Sequence, residues 1–285
     1  MTTLLLLEFG LVVLAIMAAV ARRGGGRGSL GQIERWFGRL ARQKTRAMLV
    51  VGLTALIAGG VPRLFEGIPR PQQYDEFSYL LGADTFAHAR LTNPTHPMWE
   101  HFESFHILQK PTYMSMYQPG QALTLAAGQI IFGHPWFGVW ISMAAMCAAI
   151  CWMLQAWLPP GWALLGGLIA VMRIATFSYW IESYWGGPVA AFGGALVLGA
   201  LPRLMRKGGW RNSLLLGAGV AILANTRPFE GLALAVPVAG LLAWWLVRAP
   251  RRWTVLAPAT LVLCIAGAAM LHYNHAVTGN AFQLP

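Results

Sequence analysis

GQALTLAAGQIIFG, residues 120–133, is apolar enough to enter a bilayer but only 14 residues long, and its placement decides the fold. A helix needs about 20 apolar residues to cross a hydrocarbon core. If this run crosses, the basic clusters Arg203, Arg206, Lys207, Arg211 and Arg248, Arg251, Arg252 fall on the side opposite the basic residues of 22–46. That contradicts the tendency of cytoplasmic loops to collect Lys and Arg. If it lies along one face or dips into it, all three basic groups share the cytoplasmic side. Residues 120–133 are therefore read as interfacial or re-entrant.

Working outward, hydrophobic residues make up 56% of the 285 and charged residues 11%, with a mean hydropathy of +0.53. Those proportions exclude an ordinary soluble domain. Apolar segments cover 3–20, 47–62, 136–157, 161–180, 187–204, 212–226, 230–248 and 253–273. The expected fold is all-α, a polytopic transmembrane helical bundle of about 8 membrane helices, with a large extracytoplasmic first loop carrying interfacial helices. The first segment lacks a basic flank and a small-residue cleavage site, so residues 1–46 read as a membrane anchor followed by a basic cytoplasmic linker. Within it, ARRGGGRGSLGQ (21–32) has the composition of a flexible connection. Residues 47–285 form the main membrane module, with its outer loop at 63–118.

The net charge of +11 comes from short basic clusters between apolar runs. This placement reports membrane orientation and excludes nucleic acid as a partner; the lipid bilayer is the partner it implies. Cys147, Cys151 and Cys264 lie inside apolar segments and read as small buried residues, not as a redox or metal framework.

The loop 63–118 holds six of the ten acidic residues, among them the adjacent Asp75 and Glu76. SYWIESYWGGP (178–188), NTRPFEG (225–231) and YNHAVTGNAFQLP (273–285) fall on the same face. Asp75, Glu76, Asp84, Lys110, Glu182, Arg227 and Glu230 thus converge there. Ionisable groups at a bilayer edge are costly and mark functional sites. Blander readings stand beside this one. Arg227 and Glu230 have the i, i+3 spacing of a pair that ties helix ends together. Asp75 and Glu76 suit the first turn of an amphipathic helix, where carboxylates favour the helix dipole.

The order of these features resembles the polytopic GT-C glycosyltransferases. A hydrophobic helix leads to an outer-face acidic pair opening YDEFSYLLGADTFA, and MYQPGQALTLAAGQIIFG then supplies a Tyr-Gln-Pro-Gly turn and a short apolar helix. NTRPFEGL and YNHAVTGNAFQLP are similar to later segments of bacterial members, and the resemblance covers about residues 47–285. It implies an enzyme of the bacterial inner (plasma) membrane that moves a sugar from a polyprenyl-phosphate carrier to an envelope glycan, lipid or protein acceptor on the extracytoplasmic side. It also implies a catalytic acid in the first outer loop, here Asp75 with Glu76 beside it. In similar proteins the segment ending at Pro285 leads on to further helices or an outer domain, so an N-terminal portion or a shortened form is expected.

The chemistry suits the residue types. Attack by an acceptor hydroxyl on an anomeric carbon needs a base, the role of Asp75. The departing lipid phosphate needs cations, for which Arg227 and then Lys110 are the candidates. Glu182, Tyr184 and Trp185 could hold sugar hydroxyls and stack on a ring face, with Tyr117 and Glu230 as further substrate-binding positions. His96, His101 and His106, with Glu100 and Glu103, could ligate a divalent metal ion, but their spacings match no standard pattern and no metal site is assigned. Two other classes stay open. A lipid or sugar transporter or flippase should show paired halves with interrupted helices, and no internal repeat is seen. A non-catalytic membrane assembly subunit would need no acidic outer-loop pair.

Overall fold

The structure, a computed structural model, describes residues 29–176, 178–248 and 250–285. The apolar segment 3–20 and the expected anchor lie outside the described residues. The chain divides into two compact units, residues 1–40 and 41–285. Helix α1, Ser29–Arg42, begins in the first of these. Residues 29–32 of the expected flexible linker are thus helical. The glycine run ends at Gly28, and apolar residues then recur at helical spacing through Ile33, Trp36, Phe37 and Leu40.

Helices α2 (Lys44–Gly60), α3 (Arg63–Glu66), α4 (Tyr74–Ala87), α5 (Pro119–Phe132) and α6 (Trp136–Leu154) come next. Between α4 and α5 lies the one small sheet among the described residues, β1 (Ile107–Leu108) antiparallel to β2 (Met114–Ser115). Helix α7 (Pro160–Ala170) widens into a π-helical turn, Val171–Thr176, before α8 (Tyr179–Glu182). Helices α9 (Gly187–Lys207), α10 (Trp210–Ala224), α11 (Pro228–Arg248) and α12 (Ala257–Thr278) complete the fold. The molecule is all-α apart from the hairpin. Among the described residues five helical stretches are long and apolar enough to cross a membrane, 44–66, 136–154, 187–207, 228–248 and 253–278. The stretches 160–176 and 210–224 are apolar but shorter.

Cross-links fix the direction of each helix. Gln155 beyond α6 donates to the Lys44 carbonyl at 3.0 Å, while Trp140 in its first turn and a half donates to Leu56 at 2.9 Å, so α2 and α6 run antiparallel. Arg203 near the end of α9 donates to the Trp152 carbonyl at 2.7 Å and Arg206 to the Ala156 carbonyl at 3.0 Å. The basic cluster of α9 therefore sits with Lys44 at one end of the bundle. At the other end, Trp136 donates to Ile181 at 3.0 Å, Gln121 to Tyr184 at 2.8 Å and Thr112 to Val277 at 2.8 Å. Both ends of α5 lie here, its start through Gln121 and its finish through the short turn into Trp136. It lies across this end.

Small residues allow the close packing. A Cβ on Gly219 of α10 would lie 2.6 Å from the Gly193 carbonyl oxygen of α9, and one on Gly217 would lie 2.7 Å from Ala259 of α12. Close backbone approach of this kind replaces the hydrophobic driving force that lipid removes. Helix α9 is the centre of the bundle, with 67% of its apolar stretch buried, against 6% for residues 253–278.

Candidate functional site

The polar end is assembled by local sequence. Pro119 occupies the first turn of α5, where its missing N–H costs nothing. The next N–H, of Gly120, donates to the Asn225 carbonyl just past α10 at 2.7 Å. A Cβ at position 120 would come within 2.5 Å of that oxygen, so glycine is required for the approach. This contact docks the Tyr-Gln-Pro-Gly turn against NTRPFEG and brings Tyr117 and Arg227 to one cavity of about 370 Å³, shared with Asp75, Tyr79, Glu230 and the terminal Pro285.

Asp75 lies on the first turn of α4, half-buried, with its Oδ1 3.1 Å from His106 Nε2. The other ring nitrogen, Nδ1, is 3.1 Å from the Tyr117 hydroxyl. A carboxylate only accepts, so Nε2 donates to Asp75; the Tyr117 phenol also reaches the Asp75 carboxylate and so bridges the acid and the imidazole. His106 is held by its backbone. Its φ is +65°, and its carbonyl accepts from Ser78 Oγ at 2.5 Å and from Met116 N–H at 3.2 Å, at the open end of the β1–β2 hairpin. The rings of Tyr79 and Tyr117 stack at 4.5 Å between centroids. Burial, with the Asp75 charge next in weight, pushes the Tyr117 phenol above its ordinary value. Burial likewise pushes Tyr79 up to about 12, partly opposed by Arg227. Both phenols therefore stay protonated at neutral pH.

Arg227 pairs with Glu230 at 2.9 Å, the i, i+3 contact foreseen from spacing. The bond to Glu230 holds the guanidinium above its ordinary value, and its other N–H groups remain available to an anion. Below Gly120 and Asn225, on the side away from this cavity, an apolar groove of about 530 Å³ runs among α5, α6, α9 and α10, walled by Leu123, Ala127, Ile131, Ile141, Val189 and Ile222.

Glu76 points elsewhere. It is 3% exposed, and its carboxylate accepts from the N–H groups of Gln72 at 3.2 Å, Gln73 at 3.1 Å and Tyr184 at 3.0 Å. The adjacent acids are thus separated: Asp75 lines the Arg227 cavity, while Glu76 caps α4, clamps the 178–188 segment and borders a second cavity of about 370 Å³ with Glu182, Ser183 and Trp185. Tyr184, expected to touch a sugar, lines neither cavity. It is 2% exposed and donates its hydroxyl to the Pro69 carbonyl at 2.8 Å. Lys110 does not line the Arg227 cavity; its Nζ lies 4.2 Å over the Trp99 ring.

Among the described residues no group of three His, Cys, Asp or Glu side chains is placed to hold a metal ion. His96 instead caps the Met98 N–H at 3.1 Å, and His106 serves Asp75 and Tyr117. The partnership of His106 with Asp75 was not legible, because the 31-residue separation is closed by tertiary bonds from Ser78 on α4 to the His106 carbonyl and the Ser115 hydroxyl. Tyr79 was legible in principle, one helical turn beyond Asp75. No protein-family model, curated protein or solved structure matches the chain.

Proposed function

We propose that the protein is a membrane glycosyltransferase of the GT-C kind, using a polyprenyl-phosphate-linked sugar and acting on an envelope glycan, lipid or protein acceptor. The observation that carries the reading is the apposition, across the Gly120–Asn225 hydrogen bond, of an apolar groove of about 530 Å³ and a polar cavity holding Asp75 and Arg227. An amphiphile with a prenyl chain and a phosphate head would use an apolar groove adjoining a cavity with a guanidinium. Segments 160–176 and 210–224 cross with the five longer stretches among the described residues. The basic end faces the cytoplasm of a bacterial inner membrane, which leaves the Asp75 cavity extracytoplasmic.

The acceptor hydroxyl oxygen bonds to the anomeric carbon as the carbon–oxygen bond to phosphate breaks, and the hydroxyl proton passes to Asp75. Arg227 takes up the charge gathering on the departing phosphate. His106, fixed by Tyr117, orients the Asp75 carboxylate. Glu76 takes no part in proton transfer.

The test is transfer from a radiolabelled panel of polyprenyl-phosphate sugars in membranes carrying wild type, Asp75→Asn or Arg227→Gln at matched levels. Asp75→Asn should lower transfer by about 10²–10⁴-fold. Equal transfer by wild type and Asp75→Asn would remove Asp75 as base. Movement of the lipid across the membrane without sugar transfer, unaffected by Asp75→Asn, would establish a transporter instead.

A further inference from the structure

Helix α1, SLGQIERWFGRLAR, carries two contrasting faces that the proposed transfer reaction does not use. At a rotation of about 100° per residue, Ile33, Trp36, Phe37 and Leu40 fall within an arc of about 100°, and Arg35, Arg39 and Arg42 within about 60° on the opposite side. Ile33 is 59% exposed and Trp36 57%, so the apolar face is not spent on packing among the described residues. The three arginines are exposed, and among the described residues none makes an ion pair. Glu34 does not neutralise them along the helix, because its i+3 and i+4 positions are Phe37 and Gly38. Such a helix calls for a partner that is apolar at one depth and anionic at the next. A soluble polyanion would satisfy the arginines and leave Ile33 and Trp36 in water. A lipid surface serves both faces, with acyl chains for one and phosphates for the other. Chain continuity puts the helix at that surface. Its 14 residues rise about 21 Å, too short to span. Only Gln43 separates Arg42 from Lys44, where the apolar stretch 44–66 begins, so α1 ends where the chain enters the bilayer. Lys44 and Arg46, both exposed, add their charge at that junction. Trp36 suits the interfacial depth. A helix about 10 Å across keeps its arginines within roughly one Debye length of the lipid phosphates.

We infer that α1 lies along the bilayer surface as an interfacial helix, with Ile33 and Trp36 toward the acyl chains, and that Arg35, Arg39 and Arg42 gather anionic phospholipid around it. The inference stands whether or not the Asp75 cavity transfers sugar.

The experiment uses the full chain with Cys264→Ser and one added thiol, Ile33→Cys or Gly38→Cys, labelled with a bimane fluorophore and reconstituted in phosphatidylcholine nanodiscs. Cys147 and Cys151 are buried, and a Cβ at Gly38, between the two faces and away from the apolar arc, meets open space. Quenching by phosphatidylglycerol with brominated acyl chains is compared with quenching by phosphatidylcholine with the same chains at equal mole fraction. The Ile33 label should be quenched several times more strongly than the Gly38 label. At that label the brominated phosphatidylglycerol should act as though at least about fivefold enriched over the brominated phosphatidylcholine, and 0.5 M NaCl should reduce the preference. The triple variant Arg35→Gln, Arg39→Gln, Arg42→Gln should bring the ratio to about one while the phosphatidylcholine still quenches, because the apolar face is intact. The corresponding triple Lys variant, which keeps the charge, should retain the preference and so separates lost charge from a lost helix. Equal or absent quenching at positions 33 and 38 overturns the interfacial placement. Equal quenching by the two lipids in the wild-type helix, a preference that the Gln variant keeps, or one that the Lys variant loses overturns the recruitment of anionic lipid.

Discussion

On the first turn of α4 a rotation of about 100° per residue is enough to send two adjacent carboxylates to different work. Asp75 meets an imidazole and the Arg227 cavity; Glu76 meets three backbone N–H groups and is 3% exposed. Replacing Glu76 by Gln puts an amide NH₂ where an oxygen accepted, leaving donor facing donor. Glu76→Gln should therefore cost about 1–3 kcal/mol, seen as a lower melting temperature in detergent, while transfer per folded molecule persists. Asp75→Asn, at a half-exposed position, should melt as wild type. A Glu76→Gln protein that melts normally yet transfers nothing would make Glu76 the reactive group. The sequence places both acids at a helix start but cannot separate them, because their partners, His106 and Tyr184, arrive from 31 and 108 residues away in the chain.

For the elements, the decisive feature is how α5 is held. Its 14 residues and its side of the bundle were legible from length and from the basic clusters. Its docking on the end of α10 was not, since nothing in QPG or NTR announces a backbone hydrogen bond between them. Gly120→Ala tests this joint. The added methyl would meet the Asn225 oxygen at 2.5 Å and its carbonyl carbon at 3.0 Å, backbone atoms that yield only if α5 and α10 part. The expected cost is about 1–3 kcal/mol, with a loss of transfer beyond what the lower folded yield explains, because Tyr117 and Arg227 separate. Gly240→Ala on α11, with open space where its Cβ would stand, is the control and should leave both melting and transfer unchanged. Equal behaviour of the two variants would mean that the joint does not position the site. The segment read as 161–180 shows a similar limit of sequence: composition made it one span, whereas the regular helix ends at Ala170 and a π-helical turn carries the chain toward α8.

At the scale of the molecule, charge divides the bundle into two ends. Lys44, Arg203, Arg206 and Lys207 gather at one, and Asp75, Glu76, Glu182 and Glu230 at the other, which was visible in sequence once residues 120–133 were kept from crossing. The sidedness that follows can be read directly by cysteine labelling. Cys147 and Cys151 are buried, so a background with Cys264→Ser leaves no native thiol exposed among the described residues. Ser104→Cys, in the loop of the polar end, should react with a membrane-impermeant maleimide on intact bacterial cells. Lys207→Cys, exposed at the basic end, should react only after permeabilisation. The reverse pattern would put Asp75 in the cytoplasm, where an extracytoplasmic acceptor cannot reach it, and labelling of both thiols in intact cells would contradict a bundle with its two ends on opposite sides. The result matters to the proposed function because a transfer reaction at Asp75 would draw its acceptor from whichever compartment that end faces, while a prenyl chain seated in the groove under α5 would stay in the adjoining leaflet.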